Sequence, residues 1–137
     1  MRLFVDTSAL VALADRKDQR HRPATAFLHA LPPSVRFHTS NYVVDETVTR
    51  LRAMAGVEVA VRAADALWSS ELYQIHTVDQ AIERRALQVM RKYAGHRLSF
   101  TDCTTVALLE HLGMDRVFAF DDDFLKLGYQ MVPEAAR

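Results

Sequence analysis

The stretch of sequence that decides the fold is LFVDTSALVALA, residues 3–14. Its first three residues, Leu3 to Val5, are apolar and typical of a buried β-strand, and Asp6 follows them directly. Thr7 or Ser8 is then in position to cap a helix whose apolar residues recur with helical spacing. We therefore expect a strand that leads into a helix, with Asp6 at the carboxyl end of the strand, where open α/β sheets build their sites.

The rest of the chain repeats this alternation of short apolar runs and longer helical patterns. Strands are predicted near residues 35–38, 72–76, 117–120 and 129–132. Helices are predicted from Pro23 to the Pro32-Pro33 pair, over Asn41–Ala55 with Ser40 as N-cap, from Val57 onward, over about Val78–Tyr93, and from Ser99 to Gly113. This order predicts an α/β fold in one domain, residues 1–137, with a mainly parallel central sheet flanked by helices.

Composition narrows the class of protein. The chain has 137 residues, half of them hydrophobic, which is enough for one domain with a buried core. The single cysteine, Cys103, excludes an internal disulfide framework, and no apolar run reaches the length of about 18 residues that a membrane span needs. Asp6 also comes too early for a signal peptide. We expect a soluble, cytoplasmic protein with no membrane partner.

The charges balance overall but are unevenly distributed. There are 17 basic and 17 acidic residues, and 14 of the basic residues are arginine, whose guanidinium suits bidentate phosphate contacts. Residues 84–97 contain five basic residues and no acidic one, and residues 16–22 are also basic. Such clusters are equally compatible with solvated helix faces, so the charge pattern alone does not identify a partner.

Four carboxylates fall at positions where a site can form. Asp121 follows the predicted strand 117–120 just as Asp6 follows the first strand, Asp102 lies in the first turn of a helix, and Glu46 lies inside an otherwise apolar and hydroxyl-rich helix. Four acids in one cleft would repel one another unless protonated or neutralised by a cation. Oxygen ligands without a matching His or Cys set favour a hard ion, Mg²⁺ or Mn²⁺.

Each of these acids also has a structural interpretation. Asp6 and Asp102 are suitable helix caps, Glu46 a surface residue, and the run from Asp121 to Asp123 a solvated turn. Other chemistries are less well supported, because the sequence has no glycine-rich phosphate loop, no G-x-S-x-G elbow and no H-E-x-x-H zinc motif.

Together these motifs resemble the PIN-domain ribonucleases, and in particular the VapC toxins of toxin–antitoxin pairs. The matching segments are FVDTSAL (residues 4–10), DETV (45–48), SFTDC (99–103) and FAFDDDF (118–124). Their order and spacing fit over essentially the whole chain. The opening and closing segments are fairly specific as a pair, whereas either alone would be weak.

The resemblance implies a divalent-metal-dependent endoribonuclease that uses Mg²⁺, with Mn²⁺ able to substitute, and leaves 5′-phosphate and 3′-hydroxyl products. The catalytic acids it implies are Asp6, Glu46, Asp102 and Asp121, all four as metal ligands, with Asp123 as an assisting ligand. Thr7, Ser8 and Thr101 would supply hydroxyls to the ligands or to a phosphate. Candidate contacts to the RNA backbone are Arg16, Arg20, Arg22, Arg84, Arg85, Arg91 and Arg97.

The same resemblance implies partners: an RNA substrate, a VapB-like antitoxin that holds the enzyme inactive, and a second copy of the chain in a homodimer. Three alternatives stay open at this point. The chain could be a PIN nuclease of RNA processing, a PIN module that binds RNA or protein without cleaving, or a metal-dependent DNase or phosphatase. The presence of all four acids disfavours the non-catalytic module.

Overall fold

The computed structural model describes residues 1–134. Its strands are β1 (Arg2–Val5), β2 (Arg36–Ser40), β3 (Tyr73–His76), β4 (Arg116–Phe118) and β5 (Gln130–Val132). Its helices are α1 (Thr7–Ala14), α2 (His21–Ala30), α3 (Asn41–Ala55), α4 (Val57–Ser69), α5 (Gln80–Lys92), α6 (Phe100–Leu112) and α7 (Asp123–Lys126).

The five strands form one parallel sheet in the order β3-β2-β1-β4-β5. Strand β1 is central, and Phe4 lies opposite His38 on β2 and Val117 on β4. The chain therefore builds outward from β1 in two directions, first to β2 and β3 and later to β4 and β5. The predicted α/β class with a mainly parallel sheet is confirmed.

The core lies between the sheet and the helices on its faces. Phe4, Phe118, Leu109 and Val43 are completely buried and belong to the same cluster of apolar side chains. Because β1 is covered on both faces, its residues from Leu3 to Val5 are all buried, which explains an apolar run without alternation.

The helix ends follow local side-chain chemistry. Ser40 accepts the backbone N–H of Val43 and caps α3, as its position in the sequence predicts. The prediction that Thr7 or Ser8 caps the first helix is wrong, because the N-cap is Asp6, whose side chain accepts the backbone N–H of Ser8. A carboxylate at this position accepts a hydrogen bond from a free backbone N–H and is stabilised by the positive end of the helix dipole.

Two boundaries near the end of the chain differ from the prediction. Strand β4 ends at Phe118 rather than at residue 120, so Asp121 lies three residues beyond the strand instead of directly after it. The short helix α7 was not predicted, since four residues are too few to show a helical period. Neither difference moves Asp121 from the carboxyl end of the sheet.

Within residues 1–134, no helix combines the length and the apolar character that crossing a membrane would require.

Candidate functional site

Asp6 is held at the junction of the central strand and the first helix. Its backbone N–H donates to the carbonyl of Phe118 at 3.0 Å, which joins the ends of β1 and β4. The residue is 3% exposed, and its Oδ2 accepts the Ser8 hydroxyl at 3.0 Å. Burial, together with the nearby charge of Asp102, raises the pKa of Asp6 to about 7. A positive charge beside this buried carboxyl group would stabilise its ionised form and lower its pKa.

Asp102 enters the site from the first turn of α6. Its Oδ2 accepts the backbone N–H of Ser99 at 3.0 Å, while the Ser99 hydroxyl accepts the backbone N–H of Asp102 at 3.0 Å. This reciprocal pair is a capping box, and it starts the helix at Ser99 as the sequence predicts. Burial raises the pKa of the Asp102 carboxyl, and the negative charges of Glu46 and Asp123 raise it further, whereas the bonds with Ser99 oppose the rise.

The remaining acids approach from α3 and from the segment after β4. Burial raises the pKa of Asp121, and the charges of Asp123 and Glu46 add to the rise. Through these effects Asp6 is linked to Asp102, Asp102 to Glu46 and Asp123, and Asp121 to the same two acids. Each of the five predicted ligands is therefore within electrostatic range of at least one other, and the pairs form a continuous chain from Asp6 to Asp121.

The carboxylates form an open cluster. Among residues 1–134, no three His, Cys, Asp or Glu side chains are placed so that they could hold one metal ion as they stand. The cluster nevertheless suits a divalent cation, because it offers only carboxylate oxygens and because its members raise one another's pKa. A positive charge among them would offset both the cost of burying the ionised carboxylates and their mutual repulsion.

The three predicted hydroxyls differ in what they touch. The Ser8 hydroxyl donates to Asp6 and accepts the backbone N–H of Phe120 at 3.0 Å, so it connects Asp6 to the segment that carries Asp121. Thr7 is buried, and its hydroxyl has no partner within the described part of the chain. Thr101 contributes its backbone carbonyl to a hydrogen bond, accepting the Thr104 hydroxyl, rather than its own side chain.

The predicted RNA-binding arginines are also in different situations. The guanidinium of Arg20 lies 5.5 Å from the centre of the Phe120 ring, and its charge lowers the pKa of Asp121, so Arg20 is beside the carboxylates. Arg85 is already engaged, because it donates to both carboxylate oxygens of Glu110 at 2.9 and 3.2 Å and to Gln88. The others are exposed: Arg16, Arg22, Arg84, Arg91 and Arg97.

Sequence analysis missed one charged residue of the site, Arg50. It lies one turn after Glu46 on α3, and its Nη2 is 3.5 Å from Glu46 Oε1. Its charge also lowers the pKa of Asp121. The Glu-x-x-x-Arg spacing is a signal that could have identified it, since side chains four apart on a helix are neighbours.

Comparison with known proteins points to one family. The family model described as PIN domain matches residues 3–128. A protein of Mycobacterium tuberculosis (strain CDC 1551 / Oshkosh), named 23S rRNA-specific endonuclease VapC20, is 35% identical over 127 residues. That alignment covers 93% of this chain and 95% of the relative.

Solved structures agree with the sequence match. The crystal structure of Mycobacterium tuberculosis VapC20, described as a sarcin-ricin loop cleaving toxin, has a TM-score of 0.86 at 33% identity, covering 93% of this chain and 95% of that one. VapBC2 from Rickettsia felis, solved bound to a promoter DNA fragment, has a TM-score of 0.71 at 11% identity, covering 96% and 97%. FitAcB from Neisseria gonorrhoeae has a TM-score of 0.66 at 16% identity, covering 96% of each chain. The last two support the fold alone.

Proposed function

The chain belongs to the PIN domain family, and we propose that it is a VapC-type toxin that hydrolyses phosphodiester bonds of RNA at the carboxylate cluster. The observation that carries this proposal is the convergence of Asp6, Glu46, Asp102 and Asp121 from four separate segments to one end of the sheet. The 35% identity to an endonuclease over 93% of the chain supports the same activity.

The cofactor we propose is Mg²⁺, with Mn²⁺ able to replace it. PIN nucleases depend on divalent metal ions, and a purely carboxylate donor set matches hard cations that prefer oxygen. Asp6, Glu46, Asp102 and Asp121 would hold the ion, with Asp123 assisting. When bound, such an ion supplies Lewis-acid polarisation of the phosphate and a water of lowered pKa.

The chain's own side chains prepare the site for an anionic substrate. Ser8 fixes the Asp6 carboxylate through its hydroxyl, and the Ser99 capping box fixes Asp102. Glu46 is partly exposed on α3 and, among residues 1–134, is held only by its contact with Arg50, which suits a residue that positions a water molecule. Arg20 and Arg50 place positive charge beside Asp121, which reduces the repulsion that an RNA phosphate would meet.

The RNA target we propose is ribosomal. The relative from Mycobacterium tuberculosis is named as specific for 23S rRNA, and its crystal structure is described as that of a sarcin-ricin loop cleaving toxin. The arginines beside the cluster can contact a phosphate backbone, and structured RNA is recognised largely by its shape and by such backbone contacts.

The partner we propose is a VapB-like antitoxin that binds this chain and blocks cleavage, with the toxin itself forming a homodimer in the cytoplasm. The fold is shared with chains solved as toxin–antitoxin assemblies, including VapBC2 and a toxin-antitoxin complex from Klebsiella pneumoniae. Large apolar side chains on α4, among them Val57, Val61 and Trp68, are exposed and available for such contacts.

The decisive experiment is cleavage of end-labelled RNA by the purified protein. A sarcin-ricin loop hairpin, an unstructured RNA and a DNA of the same sequence are each incubated with Mg²⁺, with Mn²⁺ and with EDTA. We expect cleavage of the hairpin with either metal, none with EDTA, and a fall of more than about 100-fold in Asp6→Asn and Asp102→Asn.

The matched control is Asp65→Asn, because Asp65 is an exposed acid on α4 away from the cluster. It should cleave at the wild-type rate. Cleavage that persists in Asp102→Asn or in EDTA would contradict the proposal. Equal cleavage of unstructured RNA would favour a general RNA-processing nuclease, and preference for the DNA would favour a DNase.

A further inference from the structure

Arg50 is a positive side chain at the edge of the carboxylate cluster. The packing of the fold does not account for a positive charge at this position. Its Nη2 is 3.5 Å from Glu46 Oε1, and the Arg50 side chain is 49% exposed against 21% for Glu46. The Arg50 guanidinium is thus a partly exposed positive charge directly beside Glu46, where an anion approaching from solvent can reach it.

The contact between Arg50 and Glu46 is easily exchanged. It is a single approach at 3.5 Å between neighbours on one helix, and half-exposed pairs of this kind add little to stability. Arg85 is the contrasting case, because it is fixed by two bonds to Glu110 and one to Gln88. The Arg50 guanidinium is therefore free to turn toward another acceptor, whereas each of the three nitrogens of the Arg85 guanidinium already donates a hydrogen bond.

The charge of Arg50 reaches more than one acid of the site. It contacts Glu46 directly and also lowers the pKa of Asp121, so the guanidinium is within electrostatic range of acids contributed by α3 and by the segment after β4. Arg20 also acts on Asp121, from the turn before α2. The cluster is therefore bordered by two arginines from different elements.

We propose that Arg50 binds a phosphate group of the RNA substrate beside the carboxylate cluster, exchanging its contact with Glu46 for phosphate oxygens. The proposal rests on the function proposed above. Five acids carry more negative charge than one divalent cation neutralises, so a polyanion needs further positive charge at this edge. The planar guanidinium can meet two phosphate oxygens at once, which the compact ammonium of lysine does not do in the same way.

RNA binding tests this role without cleavage. Affinity for the labelled hairpin is measured over a salt series in protein that carries Asp102→Asn, alone and combined with Arg50→Ala, Arg50→Lys or Arg52→Ala. Arg52 is the matched control, because it is an exposed arginine on the same helix and makes no ion pair with any of residues 1–134.

We expect Arg50→Ala to weaken binding about tenfold. It should also reduce the slope of log affinity against log salt by about 0.7, the value for one lost phosphate contact in a single strand. Arg50→Lys should keep the slope and recover part of the affinity. Arg52→Ala should change neither quantity. Equal affinity and equal slope for Arg50→Ala and Arg52→Ala would overturn the proposal.

Cleavage kinetics in the otherwise unchanged enzyme separate this role from a structural one. Loss of a phosphate contact should raise KM about tenfold and leave kcat within about threefold of wild type. A fall in kcat at unchanged KM and unchanged salt slope would contradict phosphate binding by Arg50. Wild-type protein that neither binds nor cleaves RNA would instead contradict the proposed function, which is a distinguishable result.

Discussion

Single residues in this protein combine two tasks that sequence reasoning treats as alternatives. Asp6 caps α1 by accepting the N–H of Ser8, and it is also a buried acid with a pKa of about 7. Asp102 belongs to the capping box of α6 and has a raised pKa beside Glu46 and Asp123. Capping therefore fixes the position of these carboxylates while their burial and repulsion favour a cation.

The raised pKa of Asp6 predicts how the stability of the metal-free protein depends on pH. Unfolding returns Asp6 to its ordinary value of 3.8, so the unfolded chain loses this proton before the folded one. The free energy of unfolding should be highest below about pH 4 for this group and should fall as the pH rises towards 7. Asp6→Asn should remove this decline and make the metal-free protein more stable at pH 8 by about 2–4 kcal/mol.

Urea unfolding in EDTA at pH 5 and at pH 8 measures this effect. Asp65→Asn serves as the control, since an exposed acid should leave the pH dependence as in wild type. A wild-type protein that is more stable at pH 8 than at pH 5, with Asp6→Asn following the same trend, would contradict a raised pKa at this position.

At the residue scale, the sequence was informative where a carboxylate adjoins an apolar run or a cap motif. That is why Asp6, Asp102 and Asp121 could be proposed as site residues before the structure was known. Arg85 was proposed for RNA binding because it belongs to the basic run at residues 84–97. Its ion pair could not be foreseen, because its partner Glu110 is 25 positions away and no local pattern connects them. Arg50 was missed for the opposite reason, since a glutamate and an arginine one turn apart look like an ordinary surface pair.

Elements were predictable where their ends carry a chemical signal. Helix α3 was predicted over Asn41–Ala55, the bounds that the structure shows, because Ser40 caps its start and Gly56 follows its end. Strand β4 was predicted too long, because Ala119 and Phe120 are apolar although they lie outside the strand. Apolar character indicates that a residue is buried and not that it lies in a strand, and Ala119 is buried without belonging to a strand.

The capping box of α6 predicts a coupling between helix stability and the site. Ser99→Ala removes the hydroxyl that accepts the N–H of Asp102, and losing such a cap should lower the free energy of unfolding by about 1 kcal/mol. The Asp102 carboxylate should also become less well positioned, so that cleavage falls by about 10- to 100-fold, as expected for a group that orients a metal ligand.

Chemical denaturation and RNA cleavage are measured on the same Ser99→Ala preparation, with Ser99→Thr as the conservative variant. Threonine keeps the capping hydroxyl, so both stability and activity should return towards wild type. A Ser99→Thr protein that is as stable as wild type but as inactive as Ser99→Ala would contradict this explanation. It would show that losing the hydrogen bond from the Asp102 N–H to the hydroxyl is not the cause of the lost activity.

The whole molecule explains why separate parts of the sequence meet at one site. The strand order places β1 between β2 and β4, so the carboxyl ends of β1 and β4 are neighbours although 112 positions separate Ser8 from Phe120. Sequence reasoning could predict a parallel sheet from the alternation of elements, but the order of its strands depends on which faces pack, and no local pattern shows that.

At this scale the expected effect of a cation is on global stability. We propose that the folded cluster binds a divalent ion for which the unfolded chain has no site. On that proposal, Mg²⁺ or Mn²⁺ at 100 times its dissociation constant should add about 2.7 kcal/mol to the free energy of unfolding. The melting temperature should rise by several degrees. Asp102→Asn should lose most of this rise, while Asp65→Asn should retain it.

Thermal unfolding with increasing metal concentration, and with Ca²⁺ for comparison, provides the measurement. An identical rise in the wild type and in Asp102→Asn would place the stabilising ion somewhere other than the carboxylate cluster. Loss of the rise in both Asp102→Asn and Asp65→Asn would indicate a general effect of surface charge.

The position of β4 in the sheet also has a consequence for the cell that makes this protein. Asp121 reaches the other acids only after the chain has been synthesised past β4 and that strand has paired with β1. An incomplete chain on the ribosome therefore lacks a finished site, even when the segments that carry Asp6, Glu46 and Asp102 have emerged. On the proposed function, cleavage of ribosomal RNA would therefore begin only after the chain has been synthesised past Asp121 and β4 has paired with β1.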